Sequence, residues 1–217
     1  MIQISDALLS LTLLSVLLSL ASNRLMALVK IMAFQGIVVS LIPLFLEHND
    51  GMAIGSILFL QVMLLIKGFL IPGFIFMAVQ KIKIKREVEP IIGYHASVFA
   101  GLIFILISAY IADRLHIALP DEHVLLMITA ITTLTSGLFL LMTRRKAITQ
   151  VIGYLMMENG IYLIGTALAK QTHTQFVVEF GVLLDILVGI MIMGIILHNI
   201  NSAFDDVDTA LLGQLKD

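Results

Sequence analysis

Five ionisable residues lie inside long apolar segments of this chain, and their side chains are the groups best suited to chemistry. They are Lys30, Lys67, Glu158, Glu179 and Asp185. A charge at the centre of a bilayer costs about 2.5–3.5 kcal/mol on insertion scales, so such residues face protein or a water-filled cavity. A carboxyl group in that low-dielectric setting can change its protonation state during a working cycle. The pattern is therefore typical of an intramembrane relay of charge or protons.

Three of these residues are predicted near the middle of the membrane. Glu158 lies about a dozen residues beyond the basic run Arg144–Lys146, which is roughly 18–20 Å along a helix. Lys67 and Asp185 lie similarly deep in their own segments. Two interpretations stay open at this point: static charged contacts that fix helix packing, or a proton relay in which Lys67 acts as a charge partner of the carboxylates.

The other two ionisable residues are weaker candidates for the relay. Lys30 follows Arg24 closely enough to extend its ammonium group to the headgroups. Glu179 lies one turn into the last segment, where water can reach it from the outer side. We keep Lys30 as a further relay candidate and Glu179 as a candidate for an outer connection.

The elements that must position these residues are membrane-spanning helices. Of 217 residues 59% are hydrophobic and only 13% are charged, too few charges for a water-soluble surface. The apolar residues form continuous runs near the ~20 residues that cross a bilayer core. We predict an all-α, polytopic membrane protein with about seven transmembrane helices. The segments are Ala7–Ala21, Leu25–Leu46, Met52–Gln80, Ser97–Ala112, Val124–Thr143, Ile148–Ala169 and Phe176–His198.

The basic residues predict the orientation. Nine of them fall on one side: Arg24, Lys81, Lys83, Lys85, Arg86, Arg144, Arg145, Lys146 and Lys216. Only Arg114 and Lys170 fall on the other. The positive-inside rule then places the N-terminus outside and the C-terminus in the cytoplasm. The predicted units are a three-helix unit (1–80), a basic cytoplasmic loop (81–94), a four-helix unit (95–198) and an acidic cytoplasmic tail (199–217).

A weak internal repeat relates the two helical units. With Lys67 aligned on Asp185, LLIKGFLIPGFIFMAVQKI lies over VLLDILVGIMIMGIILHNI. The preceding segments align Gln35–Ile37 with Asn159–Ile161 after a small offset. Both units would have the same orientation, which makes this a parallel repeat. Apolar helices also align by chance, so duplication and coincidence both stay open.

The residue types exclude several kinds of active site. Without cysteine the chain has no thiolate-held cluster, disulfide or cysteine nucleophile. Its histidines lie at segment ends or in loops, so no pair is placed to ligate a membrane haem. A glycine-rich phosphate loop, a Ser–His–Asp arrangement and a metal-ligand motif are also missing from the sequence. We expect no active site of its own, no cofactor or metal bound by this chain, and no nucleic-acid partner.

The last third of the chain carries a distinctive set of motifs. RRKAITQVIGYLMMENGIYLIGTALA begins at Arg144 and contains Met157–Gly160 after Gly153. VVEFGVLLDILVGIMIMGIILHNI, which holds Asp185, and the tail DDVDTALLGQLKD follow. Together with Lys67 in the third segment, this pattern resembles the E component of hydrogenase-4 (HyfE), within the NuoK- and MrpC-like membrane subunits of complex I-related complexes.

The narrower resemblance to NuoK covers about the last 95 residues and departs from it in one place. NuoK has a carboxylate in each of its last two helices. When the basic pair and Gly153 are aligned, the first of these falls on Leu155, whereas this chain has Glu158. Three residues are nearly one helical turn, so Glu158 serves a similar side of the helix from another depth. The second carboxylate falls on Asp185, followed by Gly189 at the expected interval.

The resemblance implies a subunit of a membrane-bound [NiFe]-hydrogenase complex of the formate hydrogenlyase type, in a prokaryotic cytoplasmic (inner) membrane. Nickel–iron and iron–sulfur centres are then expected in partner subunits, which carry out the redox chemistry. Antiporter-like membrane subunits are the expected neighbours, and protons or sodium ions the translocated species. This chain would contribute Glu158 and Asp185 as relay groups.

Two other functions stay open from the sequence. An Mrp-type cation/proton antiporter subunit shares the last helices but is usually shorter, with about three. A structural membrane scaffold would use the same charges only for packing. A scaffold would keep its function without the carboxylates, whereas a relay would not.

Overall fold

In the computed structural model the described residues are 4–46, 61–81, 91–115 and 124–168, together with Gly189 and Gly194. Helices account for most of them. They are α1 (Ile4–Ala21), α2 (Leu25–Leu46), α3 (Gln61–Gln80), α4 (Tyr94–Arg114), α5 (Val124–Thr143) and α6 (Ala147–Leu168). Helix α3 is not uniform: it widens into a π-helical turn over Ile66–Leu70 and continues as an α-helix from Ile71.

The all-α architecture predicted from the apolar runs is confirmed. Within the described residues, five helices, α1 to α5, are long and apolar enough to cross a membrane. Helix α6 has similar length but carries Glu158 and Asn159 at its centre. The predicted segment Phe176–His198 lies outside the described residues except for Gly189 and Gly194, which are helical. The count of seven spans, their orientation and the unit boundaries stay predictions.

The helices bury hydroxyl side chains and expose leucines, which is the reverse of the pattern in a water-soluble protein. On α1, Ser15 and Ser19 are buried, whereas Leu14 is about half exposed. On α4, Ser108 is buried, whereas Leu106 is 70% exposed. Small and hydroxyl side chains let membrane helices approach one another closely, and the outward leucines suit contact with lipid tails. The arrangement fits a helical membrane protein.

Helices α5 and α6 form the most closely packed pair, and their backbones touch at three glycines. The contacts pair Gly137 with Met157, Gly153 with Leu141, and Gly160 with Leu134. A Cβ added to these glycines would lie 2.3, 2.6 and 2.4 Å, respectively, from a backbone nitrogen of the facing helix. The two helices are antiparallel, because the partner numbers fall as the glycine numbers rise. In this register Ser136 stands opposite Glu158.

Two apolar clusters fill the interior at different depths. The first cluster consists of Val16, Leu20, Leu25, Leu28, Val29, Met32, Ile71, Ile75, Val79, Leu140, Ile148, Val151, Ile152, Leu155 and Met156. The second cluster consists of Leu9, Val39, Ile42, Met63, Leu126, Ala130, Tyr162 and Leu163. Helices α1, α2, α3, α5 and α6 each contribute to both. Each cluster therefore combines residues from before and after the predicted 81–94 loop.

The glycine contacts predict where stability is most sensitive to one added methyl group. Gly137→Ala should lower the free energy of unfolding by about 1–3 kcal/mol or more, because the new Cβ meets backbone atoms that cannot rotate away. Gly73→Ala is the matched control, since an added Cβ there meets nothing within 4 Å. The measurement is thermal unfolding of both purified variants in detergent. Equal midpoints for the two variants would contradict the packing described.

Candidate intramembrane charge site

Between the two apolar clusters lies a layer of buried polar side chains contributed by five helices. The members of this polar layer are Thr12 and Ser15 on α1, Gln35 on α2, Lys67 on α3, Thr132, Thr133 and Ser136 on α5, and Glu158 and Asn159 on α6. None of them is more than 5% exposed. On each helix they fall between residues of the first and second clusters, so they share one depth.

The centre of the polar layer is an ion pair between Lys67 on α3 and Glu158 on α6. The Lys67 ammonium donates to Oε1 of Glu158. The same nitrogen lies 3.4 Å from Oδ1 of Asn159 and 5.5 Å from the centre of the Tyr162 ring. Charge attraction is strong in this low-dielectric interior, but so is the desolvation cost of each charge. Each partner therefore offsets part of the cost of burying the other's charge.

A π-helical turn positions the buried lysine. Lys67 lies inside this turn, which is closed where the Ile71 N–H donates to the Ile66 carbonyl oxygen. Pro72 follows directly and has no N–H to donate to the carbonyl of Gly68. Wider turns of this kind are rare and recur at functional sites. The irregular backbone of α3 therefore coincides with its one charged residue at this depth.

Helix α2 stands directly against this turn. A Cβ on Gly36 would lie 2.6 Å from the Lys67 carbonyl oxygen and 3.3 Å from the Lys67 Cβ. A Cβ on Gly68 would lie 2.8 Å from the Ile37 side chain. Only glycine allows so close an approach of the two backbones at Gly36. The neighbouring Gln35 is thereby brought to the level of the ion pair.

The hydroxyl groups of the layer divide into two kinds. Thr12 and Thr133 donate within their own helices, to the carbonyl oxygens four residues earlier, at 2.9 and 2.6 Å. The hydroxyls of Thr132 and Ser136 and the amide nitrogen of Asn159 have no hydrogen-bond partner among the described residues. Buried polar groups in native proteins are nearly always satisfied, and internal water supplies missing partners. The layer thus has spare donors and acceptors for water or an ion.

A second buried charge, Arg144, lies in the turn between α5 and α6. Its Nη2 is 3.4 Å from the Leu20 carbonyl oxygen, and its guanidinium is 5.3 Å from the centre of the Tyr94 ring. Its own carbonyl accepts a hydrogen bond from Gln150 Nε2 at 3.0 Å. Burial lowers the pKa of this guanidinium, and the nearby Tyr94 opposes the shift. Arg144 therefore joins the ends of α1 and α4 to this turn.

The predicted site residues fare differently in the structure. Lys67 and Glu158 meet, and their role in a proton relay stays a prediction. Lys30 is exposed on α2 and lies outside the polar layer. Glu179 and Asp185 lie outside the described residues. Among the residues that are described, no group of three or more His, Asp or Glu side chains could hold a metal ion.

Three features of the site are not predicted from the ionisable residues alone. Gln35 is one of them, although a lone amide in an apolar run is itself a signal of a buried polar site. Asn159 was part of the motif beside Glu158 but was given no role. The π-helical turn has no clear signal beyond the nearby Pro72.

The ion pair predicts strong coupling between its two members. Lys67→Met and Glu158→Gln should each destabilise the chain by about 3–5 kcal/mol, because each removes the ion-pair partner of a buried charge. The double variant should lose much less than the sum, since no charge is stranded. Chemical or thermal unfolding of the four proteins in detergent measures the cycle. Additive losses would mean that the two side chains do not interact.

The chain is similar to a protein of Mycobacterium tuberculosis whose name states no activity. The chain is 26% identical over 198 residues to the uncharacterized protein Rv0085 of Mycobacterium tuberculosis, an alignment that covers 89% of this chain and 87% of that protein. No family model matches the chain. No solved structure matches it either.

Proposed function

We propose that this chain is a membrane-arm subunit of a membrane-bound [NiFe]-hydrogenase complex, in which its buried charges help to move protons or sodium ions. The observation that carries the proposal is the Lys67–Glu158 ion pair at the centre of the polar layer. The redox chemistry belongs to partner subunits, and this chain forms or breaks no substrate bond.

The arrangement of the layer supports sideways transfer of charge. The apolar clusters on its two sides oppose leakage of ions straight through the chain. Polar side chains continue across the layer from Ser15 on α1 to Glu158 on α6. A charge entering the layer therefore meets lower cost along the membrane plane than across it. Such a path suits a subunit placed between ion-translocating neighbours.

The chemistry available to the pair is a change of partner and of charge. Oε1 of Glu158 can take a proton, which removes the negative charge that holds the Lys67 ammonium. The Lys67 ammonium then shifts toward its other acceptors, and Asn159 Oδ1 already lies 3.4 Å away. Proton arrival is thereby linked to movement of a positive charge. The resemblance adds Asp185 as the second carboxylate of the path.

The motifs favour a hydrogenase subunit over an antiporter subunit. The resemblance to hydrogenase-4 component E spans most of the chain, including Lys67, Glu158 and Asp185. Mrp-type subunits share only the last helices and are usually shorter. The polar layer includes residues of α1, α2 and α3 as well as of α5 and α6. Helices that precede the part shared with Mrp-type subunits therefore take part in the proposed site.

The proposal is tested in the assembled complex by measuring ion pumping and hydrogen turnover separately. Glu158→Gln and Asp185→Asn should each reduce pumping at least about tenfold, as expected when a protonatable group in the path is lost. Hydrogen turnover by the soluble arm should continue. Asp113→Asn is the matched control, because Asp113 is an exposed carboxylate near the end of α4. It should leave both activities unchanged.

Two results would overturn this assignment. Normal pumping by Glu158→Gln in a fully assembled complex would make the pair a packing contact and the chain a scaffold. Co-purification of the chain with antiporter subunits alone, without hydrogenase subunits, would favour the Mrp-type alternative.

A further inference from the structure

Gln35 is a buried amide that the ion pair described above does not use. It is 0% exposed, and neither its Nε2 nor its Oε1 has a hydrogen-bond partner in the part of the chain that the structure describes. Each unsatisfied buried group costs about 1–3 kcal/mol. A leucine at this position would avoid that cost. The amide therefore has hydrogen-bonding capacity that the described residues leave unused in this state.

The position of Gln35 limits what that contact can be. Leu28, Met32, Val39 and Ile42 form the inward stripe of α2 at helical spacing, and Gln35 lies on the same stripe. Met32 belongs to the first cluster and Val39 to the second. The amide is thus enclosed above and below by apolar side chains. Its polar contacts can only come from its own layer.

Lys67 is within reach of this amide. The close approach at Gly36, together with the 3.8 Å between consecutive Cα atoms, puts the Gln35 Cα within about 9 Å of the Lys67 Cβ. Extended glutamine and lysine side chains together span about that distance. The side-chain oxygen of Gln35, Oε1, is an unused acceptor among the described residues, and the Lys67 ammonium carries three donors.

We infer that Gln35 is a positioning residue that accepts the Lys67 ammonium when Glu158 becomes neutral. This inference rests on the proposed function, because it describes what happens to Lys67 after proton arrival. The proton stays on the Glu158 carboxyl, Lys67 stays an ammonium, and only hydrogen bonds are exchanged. Gln35 Oε1 and Asn159 Oδ1 then hold the charge inside the dry layer, where an ammonium without acceptors would be unstable.

The inference is tested by comparing Gln35→Leu in the native chain and in a Glu158→Gln chain, which mimics the neutral carboxyl. In the native chain Gln35→Leu should leave the thermal midpoint unchanged or raise it, because it removes an unsatisfied amide. In the Glu158→Gln chain it should lower the midpoint by about 4 °C or more, since Lys67 loses an acceptor. Purified full-length protein in detergent serves for all variants.

A charge-swap variant and a matched control sharpen the comparison. Gln35→Glu should restore the midpoint of the Glu158→Gln chain, because it supplies a new carboxylate to Lys67. Ser40→Ala alters a buried α2 hydroxyl that donates to its own helix at Gly36, and it should have the same effect in both chains. Where Glu158→Gln does not accumulate in membranes, Gln35→Glu should restore its level and Gln35→Leu should not.

Two outcomes would overturn the inference. One is an equal effect of Gln35→Leu in both chains, and the other is a failure of Gln35→Glu to restore the thermal midpoint of the Glu158→Gln chain.

The pumping assay distinguishes failure of this inference from failure of the proposed function. If Glu158→Gln pumps normally, the proposed function fails, while the stability comparison still decides whether Gln35 and Lys67 meet. If Glu158→Gln stops pumping but the comparison shows no coupling, only the role of Gln35 is wrong.

Discussion

The structure depends on one costly interaction, an ammonium and a carboxylate held together away from water between α3 and α6. Lys67 and Glu158 are 5% and 1% exposed, so neither charge is relieved by solvent. Removing either partner takes the ion-pair contact from a charge buried in a low-dielectric interior. The rest of the core is arranged around this constraint: apolar clusters enclose the pair above and below, and polar side chains surround it at its own depth.

Backbone features of three helices serve the same constraint. The π-helical turn carries Lys67, and Gly36 lets α2 stand against it. Gly153 and Gly160 bring α6 against α5, which fixes the helix that carries Glu158. Hydroxyl groups such as that of Thr133 are satisfied by their own helices and need no partner across the layer. The polar contact that joins α3 to α6 at the centre of the layer is therefore made by the charged pair.

Composition and periodicity predicted more of the fold than of the site. The bounds of α2 and α5 match the predicted segments, because continuous apolar runs end where polar residues begin. Lys67 and Glu158 were both predicted at mid-membrane depth, but they lie 91 residues apart in sequence, and spacing along separate helices cannot show which residues meet. The burial of Arg144 was not predicted either. An arginine in a loop indicates the orientation of the chain in the membrane, and the sequence does not show whether its side chain points to water or to Tyr94.

The proposed function requires that Glu158 change its protonation state as the proposed complex works. Infrared difference spectroscopy of the assembled complex during redox turnover measures this directly, because a protonated carboxyl in a dry site has a distinct C=O stretching band. We expect a carboxyl band that appears and decays with turnover and is missing in Glu158→Gln. A turnover spectrum with no carboxyl band assignable to Glu158, recorded while the complex is pumping, would contradict it.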